Sequence, residues 1–246
     1  MPGIRLITFD LDDTLWDTGD VIARAEQAML AWLDAQRPDW RRLGIDGLRA
    51  ARREVAGERP EIAHDFTALR LAVVQRLLSR SGYSAALAAS GAEAAFAAFY
   101  DERNRVRLFD GVAETLHLLS RRYTLHALSN GNADITRAGL GDLFSAHFSA
   151  ASVGHAKPHP RMFEASLASA GVRAAEAVHI GDHPLQDISA ACAAGMRTIW
   201  VNRAGEPWPG PEAAGDAGTP AAPGADAELR HFSELPALLE RLAGEH

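Results

Sequence analysis

The chain has 246 residues, enough to bury a substantial core, with 47% in the hydrophobic set and 32 acidic against 25 basic residues for a formal net charge of -7. That balance argues against nucleic-acid binding, which needs a basic face to release counterions, and the apolar content excludes wholesale disorder. No apolar run approaches the roughly 20 residues of a membrane helix, so the expectation is a soluble, cytoplasmic chain of one to two domains, without signal peptide and without membrane partner.

In chain order, residues 4–9 form a β-branched and aromatic run short enough for a buried strand, and it ends abruptly in Asp10-Leu11-Asp12-Asp13-Thr14. From about 19 to 104 there is no convincing strand. Val21, Ala25, Met29, Trp32 and Leu33 recur on one helical stripe, as do Phe66, Leu69, Val73 and Leu77. The Ala-rich stretch 85–98 reads as a further helix, given an apolar face by Phe96, Phe99 and Tyr100. Strand-like runs resume at 123–128, 147–151, 177–180 and 197–201, separated by helical stretches or turns. Strands alternating with helices predict an α/β fold with a Rossmann-like parallel sheet. The long helical interruption predicts an inserted all-helical cap at 19–104 within a catalytic core made of 1–18 and 105–246, the next core helix starting near Asp110-Gly111. Residues 204–227, with Pro207, Pro209, Pro211, Pro220 and Pro223 among Gly and Ala, read as a surface loop before a last helix at about 233–242.

Ligands of a parallel sheet sit beyond the carboxyl ends of its strands, and the residues collected there are mostly acidic. The first strand delivers Asp10, Asp12, Asp13 and Thr14; the second delivers Ser129 and Asn130; the fourth delivers Gly181, Asp182 and then Asp187. Two residues of extended chain span roughly 6.6 Å, so Asp10 and Asp12 can face one ligand while Leu11 points into the core. Carboxylates about 4 Å apart repel by on the order of 4 kcal/mol, so something positive must sit among them. An all-oxygen site suits Mg²⁺, whereas zinc would want several His or Cys ligands and only His183 is near. A second positive group is conspicuous by its rarity: every basic residue but Lys157 is Arg. Arg cannot take the place of a compact ammonium wedged beside a small anion, which makes Lys157 a candidate functional residue. With Thr14 and Ser129 as hydroxyl donors, the set suits a phosphoryl group.

Asp10-Leu11-Asp12-Asp13-Thr14 after a strand, Ser129-Asn130, Lys157-Pro158, and Gly181-Asp182 with Asp187 resemble, in order, the four motifs of the haloacid dehalogenase-like hydrolase superfamily. The resemblance covers the core from residue 4 to about 202, with the helical insertion similar in position and type to the cap of its helical-cap phosphatases. It implies that Asp10 is a nucleophile forming an aspartyl-phosphate, and that Asp12 protonates the leaving alcohol and then activates water. It further implies a Mg²⁺ ion held by Asp10, the Asp12 carbonyl and Asp182, with Asp187 in or beside that shell. Ser129, Asn130 and Lys157 would hold phosphate oxygens, and Thr14 would brace the loop.

The resulting expectation is a Mg²⁺-dependent phosphatase of a small phosphorylated metabolite, FMN or another flavin-pathway phosphate being suggested. A haloacid dehalogenase uses the same nucleophile without metal or second acid, and a phosphomutase would need the same core residues. A phospho-accepting receiver domain is about half this length. Asp13 reads as solvated or helix-capping, His183 as a rim residue, Cys192 as a small core residue, and His64, Asp65, Thr67 and Arg70 as a polar helix start facing either substrate or solvent. Oligomeric state is not legible.

Overall fold

The computed structural model describes residues 3–209 and 224–244. The chain divides into two compact units, Met1–Asp17 with Arg107–His246, and Thr18–Val106.

The first unit is built on a six-stranded sheet of β1 (Leu6–Phe9), β2 (Thr124–Ser129), β3 (Ala146–Ser149), β4 (Ala177–Gly181), β5 (Arg197–Val201) and β6 (Ala227–Leu229), in the order β3-β2-β1-β4-β5-β6. All neighbouring pairs are parallel. β1 and β4 are buried along their whole length, as expected when helices cover both faces of a parallel sheet. The covering and connecting helices of this unit are α5 (Val112–Ser120), α6 (Ala150–Val153), α7 (Arg161–Ala170), α8 (Ala190–Ala193) and α9 (Leu235–Gly244). Met162 and Phe163 of α7, Ala190 and Ala191 of α8, and Met196 pack with Leu6, Leu128 and Ala177 into one apolar cluster. Gly111, in the left-handed region at φ 79°, turns the chain into α5 at the expected place.

Three readings are corrected. Residues 227–229 are an edge strand rather than the end of a loop; a three-residue strand carries no periodicity of its own, and it is fixed by Asn202 N-H donating to Leu229 O at 2.9 Å. The last helix is shifted, with a 3-10 turn at Phe232–Glu234 ahead of α9. Cys192 is exposed, because Ala190 and Ala191 are the residues of α8 that face the sheet. Of the expected 204–227 loop, residues 204–209 have neither helix nor strand, and 210–223 lie outside the described residues.

The second unit is all-helical: α1 (Thr18–Gln36), α2 (Gly44–Glu58), α3 (Phe66–Arg80) and α4 (Ala85–Arg103), with short 3-10 turns at Pro38–Arg42 and Pro60–Ile62. Its core joins Ala25, Met29 and Leu33 of α1 to Val74, Leu77 and Leu78 of α3 and to Ala88, Ala92, Ala95 and Phe99 of α4. The small residues of α4 let helices approach closely: a Cβ at Gly91 would lie 2.7 Å from Leu78 Cδ1. Asp65 caps α3, accepting from the Thr67 and Ala68 N-H groups at 2.9 Å each, which explains one of the polar residues at that helix start. Phe66, placed on the apolar stripe by spacing, is 44% exposed because it is the first residue after that cap, whereas Leu77 is fully buried. Among the described residues no helix is long and apolar enough to cross a membrane.

Leu77→Ala should lower unfolding stability by roughly 2–5 kcal/mol through lost burial and a residual cavity, and Phe66→Ala by about 0.5 kcal/mol or less. Urea denaturation of the two variants checks this, and equal costs would mean that the packing of α3 is misassigned.

Candidate active site

The sheet order reverses at β1: β2 lies on one side and β4 on the other, so a crevice opens at the carboxyl ends of β1 and β4. Asp10 stands at its edge, with its N-H donating to Ile180 O of β4 at 2.9 Å. Register pairs Phe9 with Ile180, so Asp10 and the Gly181-Asp182 step leave the sheet side by side. Carboxylate oxygens of Asp10, Asp182 and Asp187 come within 4.8 Å of one another.

Asp187 reaches this group because the chain after β4 makes a π-helical turn at Pro184–Ser189. His183 caps that turn, its Nδ1 accepting from the N-H groups of Leu185 and Gln186 at 3.2 Å each. Its own N-H donates to Asp187 Oδ2 at 3.0 Å. Gly181 is required at its position, since a Cβ there would collide with the Asp187 carboxylate carbon.

Lys157 is the cation of the group. Its buried ammonium donates to Asp10 Oδ1 at 2.5 Å, to Asp187 Oδ1 at 2.6 Å and to Leu128 O at 2.9 Å, which uses all three of its hydrogens. Asn130 holds the lysine's own backbone in both directions. Its Oδ1 accepts from Lys157 N-H at 2.7 Å, and its Nδ2 donates to Lys157 O and to Gln186 Oε1, each at 2.9 Å. The Asn130 side chain is thus spent on loop positioning, where a phosphate contact was expected. Ser129 Oγ accepts from Gly131 N-H at 2.9 Å, and Thr14 Oγ1 donates to Asp182 Oδ1 at 3.0 Å, so the Thr14 hydroxyl orients a carboxylate.

Asp12 stands apart from the three clustered carboxylates. The chain leaves the extended conformation at Asp13, which sits at φ 61°, and Trp16 Nε1 donates to Asp12 Oδ1 at 2.9 Å. Leu11 is fully buried as expected, and Asp13 is exposed.

Burial raises the Asp10 carboxyl well above its ordinary range despite Lys157, with repulsion from Asp187 and Asp182 adding to the rise. Asp182 is pushed up to about 7, by burial first and then by Asp187, with the Thr14 hydroxyl opposing. Asp187 is also buried, but attraction to Lys157 and a hydrogen bond from His179 hold it below the usual carboxylate range. Burial alone would lower Lys157; the two carboxylates on it reverse that and hold it charged. Three carboxylates against one ammonium leave a formal surplus of two negative charges. A divalent cation would neutralise that surplus, and a donor set of carboxylate oxygens from Asp10, Asp182 and Asp187 fits Mg²⁺.

Several supporting residues were not singled out from sequence: Trp16, Gln186, Thr8, His179 and Trp200, whose Nε1 donates to Asp182 O at 2.7 Å. The detectable signal was polar residues inside apolar strands, Thr8 in β1 and His179 in β4, both fully buried. Burial lowers the His179 pKa and favours its neutral form.

Comparison with known proteins bears on the family of the chain. The family model described as haloacid dehalogenase-like hydrolase matches residues 4–195. The chain is similar to the 5-amino-6-(5-phospho-D-ribitylamino)uracil phosphatase YigB of Escherichia coli K12, 34% identical over 198 residues that make up 80% of this chain and 83% of that one. It is 38% identical to a phosphoserine phosphatase of Thermus thermophilus over 125 residues, 48% of this chain and 50% of the other. Among solved structures, a 2-haloacid dehalogenase from Pseudomonas syringae pv. tomato superposes with a TM-score of 0.88 at 40% identity, covering 98% of this chain and 100% of that one. With that family model matched over most of its length, the chain belongs to the haloacid dehalogenase-like hydrolase family.

Proposed function

We propose that this hydrolase is a Mg²⁺-dependent phosphatase of a small phosphorylated metabolite, working through an aspartyl-phosphate. The observation that carries the reading is the cluster of three carboxylates, Asp10 and Asp187 buried and Asp182 half-buried, with Lys157 paired to the first two, which leaves a surplus of negative charge that a divalent cation would offset. Mg²⁺, held by Asp10, Asp182 and the Asp12 carbonyl with Asp187 in or beside the shell, would supply positive charge to the phosphoryl oxygens. Asp10 attacks phosphorus through a carboxylate oxygen as the bond to the leaving alcohol breaks. Asp12, steadied by Trp16, passes its proton to that alcohol oxygen and then takes one from the water that hydrolyses the acyl phosphate, releasing inorganic phosphate and restoring Asp10. Lys157 opposes the rise that burial imposes on the Asp10 carboxyl, and Ser129 donates to the phosphate. Asn130 and Thr14 act one step back, fixing Lys157 and Asp182.

The unit Thr18–Val106 serves as the cap that selects the leaving group, and the name of the Escherichia coli relative supports a phosphoribityl substrate over FMN. The 40% identical structure described as a 2-haloacid dehalogenase favours a second reading, halide displacement by the same Asp10.

The two readings separate in one assay. p-Nitrophenyl phosphate should release phosphate with Mg²⁺ and not after EDTA treatment, while L-2-chloropropionate should release no chloride; chloride release without metal would install the dehalogenase instead. Asp10→Asn should retain its fold by circular dichroism and lose at least about a thousandfold in kcat, since an amide is a poor nucleophile. Substantial residual turnover there would remove the covalent intermediate. Lys157→Arg should cost on the order of a hundredfold in kcat/KM, because a planar fork cannot meet Asp10, Asp187 and Leu128 O from one point. Wild-type rates for it would reduce the single lysine to coincidence.

A further inference from the structure

We propose that His179 is a positioning residue for the metal centre, aligning the Asp187 carboxylate through a buried hydrogen-bonded chain that begins at Thr8. The proposal rests on the metal-dependent reading above and extends it to two residues outside the four motifs.

Thr8 and His179 are cross-strand partners in the β1/β4 ladder, so the register places them side by side. Both are fully buried. Thr8 Oγ1 and His179 Nδ1 are 2.7 Å apart, and His179 Nε2 lies 3.2 Å from Asp187 Oδ1. An ionised carboxylate can only accept, so Nε2 carries the imidazole hydrogen; Nδ1 then accepts, and the Thr8 hydroxyl 2.7 Å away is its donor, Val178 O being a longer second acceptor for that hydroxyl at 3.4 Å. The ring plane is set independently by Phe163, edge-to-face with His179 at 5.0 Å between centroids. The imidazole therefore has one tautomer and one orientation, and it delivers one N-H to the oxygen that also receives the Lys157 ammonium. Oδ2 of the same carboxylate is held from the other side by the His183 N-H. Asp187 is gripped by three donors, two of them brought by the loops that carry Lys157 and His183 and the third by the sheet itself. Only the sheet-borne donor is independent of loop conformation, and an outer partner of this kind tunes how well a carboxylate site takes up its ion.

Calorimetric titration of the whole protein with Mg²⁺ tests this without reference to turnover. His179→Leu should weaken Mg²⁺ affinity by about 10- to 100-fold, whereas His179→Gln, whose amide can donate to Asp187, should stay within about threefold of wild type. Thr8→Val, which preserves shape and removes the hydroxyl, should weaken binding in the same direction, and it decides the matter if His179→Leu does not fold. A residue that merely fills the core would shift the thermal midpoint of the metal-free protein and leave Mg²⁺ affinity alone. Wild-type affinity in His179→Leu and Thr8→Val overturns the assignment, as does an equal loss in His179→Gln. A wild-type chain that takes up no Mg²⁺ overturns the metal reading itself, and this assignment with it.

Discussion

The buried ammonium of Lys157 is the interaction on which the site depends. Three acidic side chains converge at the mouth of a parallel sheet, two of them almost wholly out of water, and their mutual repulsion would drive the loops apart without a cation among them. Moving an ammonium out of water costs several kcal/mol, which only close and complete pairing offsets. Lys157 meets that condition, since each of its hydrogens has an oxygen partner: Asp10 from β1, Leu128 O from β2, and Asp187 from the turn after β4. One side chain thereby ties three neighbouring strand ends together.

Positioning such a group requires that its backbone also be held, and Asn130 does this by pairing with both the N-H and the carbonyl of residue 157. The Ser-Asn step at the end of β2 thus divides its labour, with Ser129 accepting from the Gly131 N-H and Asn130 clamping the loop. A similar division runs through the other strand ends. Asp10 lies in the cluster while Asp12 is turned toward Trp16, and Asp182 is held by Thr14 and Trp200 while Asp187 is held by Lys157, His179 and His183. Each of these carboxylates thus has a hydrogen-bond donor in place within the protein, so its orientation is set in advance.

The surplus negative charge links structure to chemistry. Lys157 pairs with Asp10 and Asp187, yet burial raises the Asp10 and Asp182 carboxyls, with repulsion from Asp187 adding to both rises. On the proposed reading, a divalent cation would offset this imbalance and meet the oxygens of a phosphoryl group.

Much of this was legible in the amino-acid order. Short β-branched runs separated by helical stretches determined an α/β fold, since strand and helix periods are local properties, and five of the six strands followed from them. Acidic residues at strand ends foretold a cluster, because in a parallel sheet those ends share one edge, and the lone lysine among arginines does stand within that cluster, paired to Asp10 and Asp187. Other features are decided only by the tertiary structure. β6 exists because β5 offers it a free edge, not through any pattern in Ala227–Leu229. Asn130 and His183 became a clamp and a cap because loop geometry spends their polar atoms on backbone. Thr8 and His179 are 171 residues apart, and nothing in either strand reveals that a polar residue in one faces a polar residue in the other. Their meeting is set by strand order and register, which are long-range outcomes of packing the whole sheet.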